Sequence, residues 1–356
     1  MSGLFKLRLA AVILSVLLFT NVVSAQFKET DFLRSTPADG VKFLEAYISP
    51  WINAFGAGLN GNWYNTAKPH ELGGFDITFG ISAGIVPSSE TTFDISSIGL
   101  SSSISGSGLA PTVAGPTSDG PELIYSQGGV ELSRFNTPQG TDWRYIPVPI
   151  AQAGIGLPLG TEIKARFIPR IPVSDGDFML WGAGLMHSIM QYIPGNKLLP
   201  VDVSVFGAFT RITGNVPLSL DPGSPTSYAT YNAITDFNDQ NFSLNVSAFN
   251  VGAIASFNLP VINFYGGLGY SKTSTVLELS GNFPTPVLVS NPTPHAEYND
   301  SGVKKGTDFP DMNIENFSGL RANIGFRVKL AVVTFHADYT WAQYSVLSTG
   351  LGISFR

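Results

Sequence analysis

A chain of 356 residues with 44% hydrophobic, 12% aromatic and only 13% charged residues carries about half the charge of an ordinary soluble domain. Its formal net charge of -6 offers no basic surface for nucleic acid, and the absence of cysteine excludes thiol catalysis, thiolate metal sites and a disulfide-stapled secreted domain. Low charge, abundant aromatics and 38 glycines fit a barrel whose outer wall faces lipid.

The N-terminus reads as a secretion signal. Lys6 and Arg8 supply positive charge, Leu9 to Phe19 an apolar run, and Val23-Ser24-Ala25 a small-residue cleavage site. The run is shorter than the roughly 20 residues of a spanning helix, so cleavage is expected after Ala25 rather than retention as an anchor. Residues 1–25 are thus assigned to export, with the bacterial outer membrane as destination.

Residues 26–52 hold the one helical pattern. Thr36 can cap it, Pro37 suits the first helical position and Asp39 falls in the first turn. Val41, Leu44 and Ile48 recur at helical spacing, and Pro50 is expected to end the helix. Such a segment either covers the periplasmic mouth of a barrel or plugs its lumen, and both readings stay open.

From Asn53 onward the period changes to two, which assigns residues 53–356 to the barrel. Phe75 to Ile85 is the clearest strand, with apolar residues at odd positions and small or polar ones at even positions. Val201 to Arg211, Leu320 to Val328, Val333 to Trp341 and Leu347 to Phe355 alternate in the same way. Segments of about 10 residues with one polar face are the mark of transmembrane strands. Tight turns are expected at Pro158-Leu159-Gly160, Asn258-Leu259-Pro260 and near Leu330-Ala331, and long loops over 99–120, 213–241 and 280–316. If Glu122 to Phe135 breaks at Gln127-Gly128-Gly129, counting gives about 14 strands, an even number with all long loops on one side. The expected fold is therefore an all-β, antiparallel up-and-down barrel of about 14 strands, with 12 as the alternative. Trp51, Trp63, Tyr64, Trp143, Tyr145, Tyr192, Tyr265, Tyr270, Trp341 and Tyr344 fall near strand ends, as girdle aromatics do.

Several segments carry a family resemblance. Gly61 to His70, Gly74 to Thr78, Gly156 to Thr161, Lys164 to Pro169, Trp181 to His187 and Gly350 to Arg356 resemble a domain-of-unknown-function family of outer-membrane barrels common in Bacteroidota. That resemblance spans nearly the whole mature chain and implies a fold and a location, with no established activity. In architecture alone the chain is more distantly similar to the long-chain fatty-acid transporter family, which combines an N-terminal plug with about 14 strands; no residue here matches that family's ligand pocket.

Strand phase places Asp76, Lys164, Arg166, Arg321, Arg327, His336 and Asp338 on the inner face. They either pair across neighbouring strands as packing, or form a charged constriction that selects solutes. No catalytic set is expected. The hydroxyl beside His336 on its strand face is that of Thr334, and no Gly-x-Ser-x-Gly elbow is present. The four histidines are scattered, and Asp236, Asn238 and Asp239 lack the rest of a calcium loop, so no metal or cofactor is expected. Met186, Ile189, Met190 and Ile193 suggest a short helix at the periplasmic rim. Phe355 stands as the membrane-insertion signal at the end of the last strand. The expected function is passive passage of a small molecule through a monomeric barrel, set in outer-membrane lipid by the insertion machinery. The alternative is a scaffold for an envelope or secretion complex.

Overall fold

A computed structural model describes residues 35–173, 176–194, 200–218, 229–231, 239–290, 293–299, 302–310, 312–314 and 317–355. The signal reading, Asp236 and Asn238 lie outside these residues.

Ten antiparallel strands form one closed barrel. They are β1 (Phe75–Ile85), β2 (Tyr145–Leu157), β3 (Thr161–Val173), β4 (Gly176–Ser188) and β5 (Val201–Pro217), followed by β6 (Asn241–Asn258), β7 (Ile262–Ser280), β8 (Ser318–Leu330), β9 (Val333–Trp341) and β10 (Val346–Ser354). Each strand pairs with the next. β10 returns to β1, from Asp76↔Ser354 to Gly84↔Val346, and closes the wall. Joining the last strand to the first removes the two open edges of the sheet, which is what lets it stand in lipid.

Period-two alternation works as expected. Phe79, Phe167, Leu268, Leu320, Ile324 and Leu351 point outward and are exposed, while Thr78, Ser82, Thr334 and Ser348 point inward and are buried. The turns at Pro158-Leu159-Gly160, Asn258-Leu259-Pro260 and Leu330-Ala331 all fall between consecutive strands at one end, here termed the turn end. The long connections, 86–144 and the described parts of 218–240 and 281–317, lie at the other, the loop end.

The strand number of about 14, and equally 12, is corrected to 10. Glu122–Gln127 and Val130–Asn136 do form a hairpin about Gly128 and Gly129, both with positive φ. It belongs to the first long loop, however, and packs Tyr125 and Leu132 against Ala296 and Tyr298 of another loop. Strands of 6 and 7 residues are too short to span a bilayer, which takes about 9–11 residues. The wall strands are also longer than the repeat counted from sequence: β5, β6 and β7 have 17, 18 and 19 residues.

The helix α1 runs from Pro37 to Leu59, straight through Pro50. Thr36 caps it as expected, its Oγ1 accepting from the Asp39 N–H at 3.2 Å. An interior proline costs about 3 kcal/mol. Here Ile48, Pro50, Ile52, Ala54 and Phe55 are all buried, and burying each large apolar side chain contributes about 1.5–3 kcal/mol, so packing overrides the break. The boundary expected at residue 52 therefore moves. The first wall strand begins only at Phe75, and residues 60–74 are a non-strand segment.

The helix does not cover the periplasmic mouth. Its first half packs Val41, Phe43, Leu44 and Ile48 against Leu123, Phe135, Phe283 and Phe309 of the loops. Its second half descends into the barrel, where Ala54, Phe55, Ala57 and Leu59 meet Ile146, Val148, Leu180 and Val246. The plug reading is the one the fold adopts, entered from the loop end. Gly84 makes the approach possible, because a Cβ there would lie 1.8 Å from the Ala54 carbonyl oxygen. The rim helix expected around Met190 reduces to a single 3-10 turn, Met190–Tyr192.

Candidate functional site

An α-helix ends with four carbonyls that lack intrahelical partners, at the negative pole of its dipole. α1 carries no basic residue in its last turn. The wall supplies the charge instead. From β3, Arg166 donates to the Leu59 carbonyl at 2.9 Å and to the Gly61 carbonyl at 2.7 Å. From β8, Arg321 donates to the Asn60 carbonyl at 2.7 Å, and Asn250 of β6 reaches the same oxygen at 3.1 Å. Both arginines are buried. The Arg166 guanidinium also lies 3.7 Å over the Trp63 ring and donates to Gln152 Oε1 at 3.0 Å. Two of the inner-face charges thus bind the plug, a third outcome beside the two expected for them.

Below the helix the chain continues down the lumen, held residue by residue. Asn62 accepts at Oδ1 from His336 Nε2 at 2.6 Å, and its amide donates to the Thr349 carbonyl at 3.0 Å. Tyr64 donates to Asn323 Oδ1 at 2.8 Å. Trp63 and Tyr64 pack on Phe206, and a Cβ at Gly184 would meet the Trp63 ring at 2.9 Å. Asp338 accepts from the Tyr265 hydroxyl at 3.0 Å. Arg327 is buried and stands opposite His336 in the β8–β9 register.

At the turn end four polar side chains converge. His70 Nδ1 is 3.0 Å from Glu162 Oε2 and 3.8 Å from Asp76 Oδ1. Its Nε2 is 3.0 Å from Ser354 Oγ. Lys164 pairs with Glu162 and stands 3.5 Å from Asp76 Oδ1. Among the described residues His70, Asp76 and Glu162 form the one set of three that could hold a metal ion, with ligand atoms within 4.8 Å of one another. The Lys164 ammonium already faces both carboxylates, so the arrangement is an internally paired ion cluster that locks the end of the plug to β1, β3 and β10.

The structure therefore brings all seven inner-face residues into the lumen and gathers five of them at three places along one segment, while Asp338 accepts from Tyr265 and Arg327 stands opposite His336 within the wall. Arg166 and Arg321 hold the helix end, His336 holds Asn62, and Asp76 and Lys164 surround His70. Glu162 was missed by sequence reasoning, although it shares the phase of Lys164 and Arg166 on the same strand. His70 gave no sequence signal because its partners come from three different strands, with Glu162 and Ser354 far off in the chain. Among the aromatics, Trp143, Tyr145, Tyr192, Tyr270 and Trp341 are exposed on the outside as girdle residues are. Trp63, Tyr64, Tyr265 and Tyr344 are instead buried inside, and Trp51 stacks on Phe55 in the plug. Phe355 is on the outer face, its ring stacked on Phe75 at a centroid distance of 5.0 Å.

A closed antiparallel barrel with an apolar exterior and a lumen filled by its own N-terminal segment is an outer-membrane-type β-barrel of the plugged kind. The sequence matches, over residues 4–355, a family of unknown function (DUF6588), and the chain belongs to that family. No match was found among curated proteins. Among solved structures, the chain is similar to the attachment invasion locus protein Ail of Yersinia pestis, at 8% identity and a TM-score of 0.25, covering 80% of this chain and 98% of that one. It is similar to the transport unit of the autotransporter AIDA-I from Escherichia coli at 10% identity and a TM-score of 0.30, covering 87% and 98%. The beta domain of the Bordetella autotransporter Brka follows at 12% identity and 0.27, covering 80% and 98%. The strand order, not these likenesses, defines the barrel.

Proposed function

We propose that this chain is an outer-membrane barrel closed along its axis by its own N-terminal segment, so that a small molecule passes only when that segment shifts. The observation that carries this reading is the clamp on the helix end, where Arg166 and Arg321 bond the Leu59, Asn60 and Gly61 carbonyls. A passive channel needs a water column lined by charge. Here most of the charges that would line it are spent on the plug. Membrane placement is supported by wall closure and by the outward apolar band flanked by exposed aromatics. We take the barrel to be a monomer without catalytic role, delivered by insertion machinery that reads the last strand and Phe355; the residues nearest to a catalytic pair, His336 and Asp338, are engaged with Asn62 and Tyr265.

Planar-bilayer recording tests the reading. The protein is expected to be silent at rest, and the Arg166→Gln/Arg321→Gln variant to show frequent openings. Steady ohmic conductance in the unaltered protein would refute closure. A scaffold is the second reading, favoured by the folded cap that the long loops build over α1. Silence in both proteins, together with a stoichiometric envelope partner on affinity isolation, would favour the scaffold.

A further inference from the structure

The barrel wall has one weak seam. β2 and β3 each have 13 residues, yet their ladder stops at Gln152↔Arg166 and leaves the halves nearer the loop end, 145–151 and 167–173, unpaired with each other. On their other edges both strands stay bonded. β2 pairs with β1 up to Ile85↔Tyr145, and β3 with β4 up to Val173↔Gly176, with an irregularity between Ile168 and Ile171 that bends β3.

The gap follows from the sequence. Even-numbered residues around β2 bond toward β1, as the Val86 N–H to Arg144 carbonyl and Gly156 N–H to Gly74 carbonyl bonds show. Alternation then turns the odd residues of β2 toward β3. Two of these are Pro147 and Pro149, which have no N–H to give. Continuing the register past Gln152↔Arg166 would set Pro149 opposite Pro169, at a position where both residues should donate and neither can. The seam cannot zip.

An unsealed strand edge in hydrocarbon costs several kcal/mol per unpaired backbone group and persists only where something covers it. The gap begins at the level of Tyr145, an exposed girdle aromatic beside Trp143, and runs past the exposed Phe167. Seven residues at about 3.3 Å, tilted by about 40°, descend roughly 15–20 Å, the hydrocarbon depth of one leaflet. Behind the gap the barrel lining is apolar, from Ile146, Val148, Ile150, Ile168 and Leu180, with the helix residue Phe55.

We propose that the β2–β3 seam is a lipid site, occupied by one acyl chain of a leaflet lipid lying along the gap between Tyr145–Ala151 and Phe167–Val173. The proposal rests on the membrane reading above. The chain covers the prolines, completes the wall and joins bulk lipid to the apolar packing around α1. The probe is phosphatidylcholine with a diazirine in its acyl chain, mixed into vesicles holding the full protein and photolysed. Peptides 145–151 and 167–173 are expected to carry several-fold more label than equally exposed wall on β7 and β8. The Pro149→Val/Pro169→Val variant restores both donors and should lose the enrichment, and Ile168→Trp, which fills the gap and leaves the ladder alone, should lose it too. Labelling spread evenly round the wall, or enrichment that survives Ile168→Trp, overturns the lipid site while leaving the membrane reading intact. A wall without label anywhere overturns both.

Discussion

Replacing Arg166 with methionine keeps a flexible side chain of similar length and removes the guanidinium. The Leu59 and Gly61 carbonyls lose donors at 2.9 and 2.7 Å, and the Trp63 face loses a cation centred 3.7 Å away. A buried carbonyl left without its partner costs about 1–3 kcal/mol, and a charge at a helix C-terminus contributes up to about 2 kcal/mol. One guanidinium supplies all of these, so they overlap, and the relief of its own burial offsets part of the loss. The docked plug should weaken by about 3 kcal/mol, or somewhat over a hundredfold in the population of undocked molecules. Amide hydrogen exchange in bilayer discs reads this directly. Exchange across 45–71 should accelerate by about that factor while β5 to β7 stay protected, and Arg166→Lys should fall between. Unchanged exchange in the helix of a properly assembled variant would refute the clamp. Equal loss of protection throughout the wall would mean that Arg166 stabilises the barrel and not the plug.

Gly84→Ala sets a Cβ against the Ala54 carbonyl, and because both atoms are backbone-anchored the helix must move. Overpacking of this kind costs about 1–3 kcal/mol, so heat-modifiability gels should show a lower unfolding temperature for an assembled barrel. Asp39 is held below its ordinary carboxylate range: burial pushes it up, but hydrogen bonds from Ser101 and Thr36 and the Lys42 charge outweigh that. Its folded form therefore ionises more readily than the unfolded one. The stability it contributes is complete above about pH 4 and is lost as pH falls through the lower folded value. Acid should free the cap end of α1 to proteolysis before the lumen end, and Asp39→Asn should remove that pH dependence. Phe355→Ala deletes the ring stacked on Phe75, so assembly into proteoliposomes by the insertion machinery should slow several-fold, with an unchanged rate counting against a signal role.

Neighbour-to-neighbour periodicity was enough to tell which side chains face lipid and which face the lumen, because a strand's side chains alternate whatever the strand pairs with. Phe79, Arg321 and Asp338 all lie where phase put them, and the three tight turns announce themselves by local chemistry. The Pro147, Pro149 and Pro169 positions were equally visible as missing donors, though as a seam only through the Gln152↔Arg166 register, which carried on would set Pro149 opposite Pro169. Strand number was a tertiary decision. Glu122–Gln127 alternates as a wall strand does, and only its packing on Ala296 and Tyr298 marks it as loop. The same holds for the inner charges. Alternation turned Arg166 inward, but whether it would meet an acid, water or a helix end depended on which segment folded into the lumen. That segment was settled by burial around Pro50 and by the room left at Gly84, contacts between residues far apart in the chain.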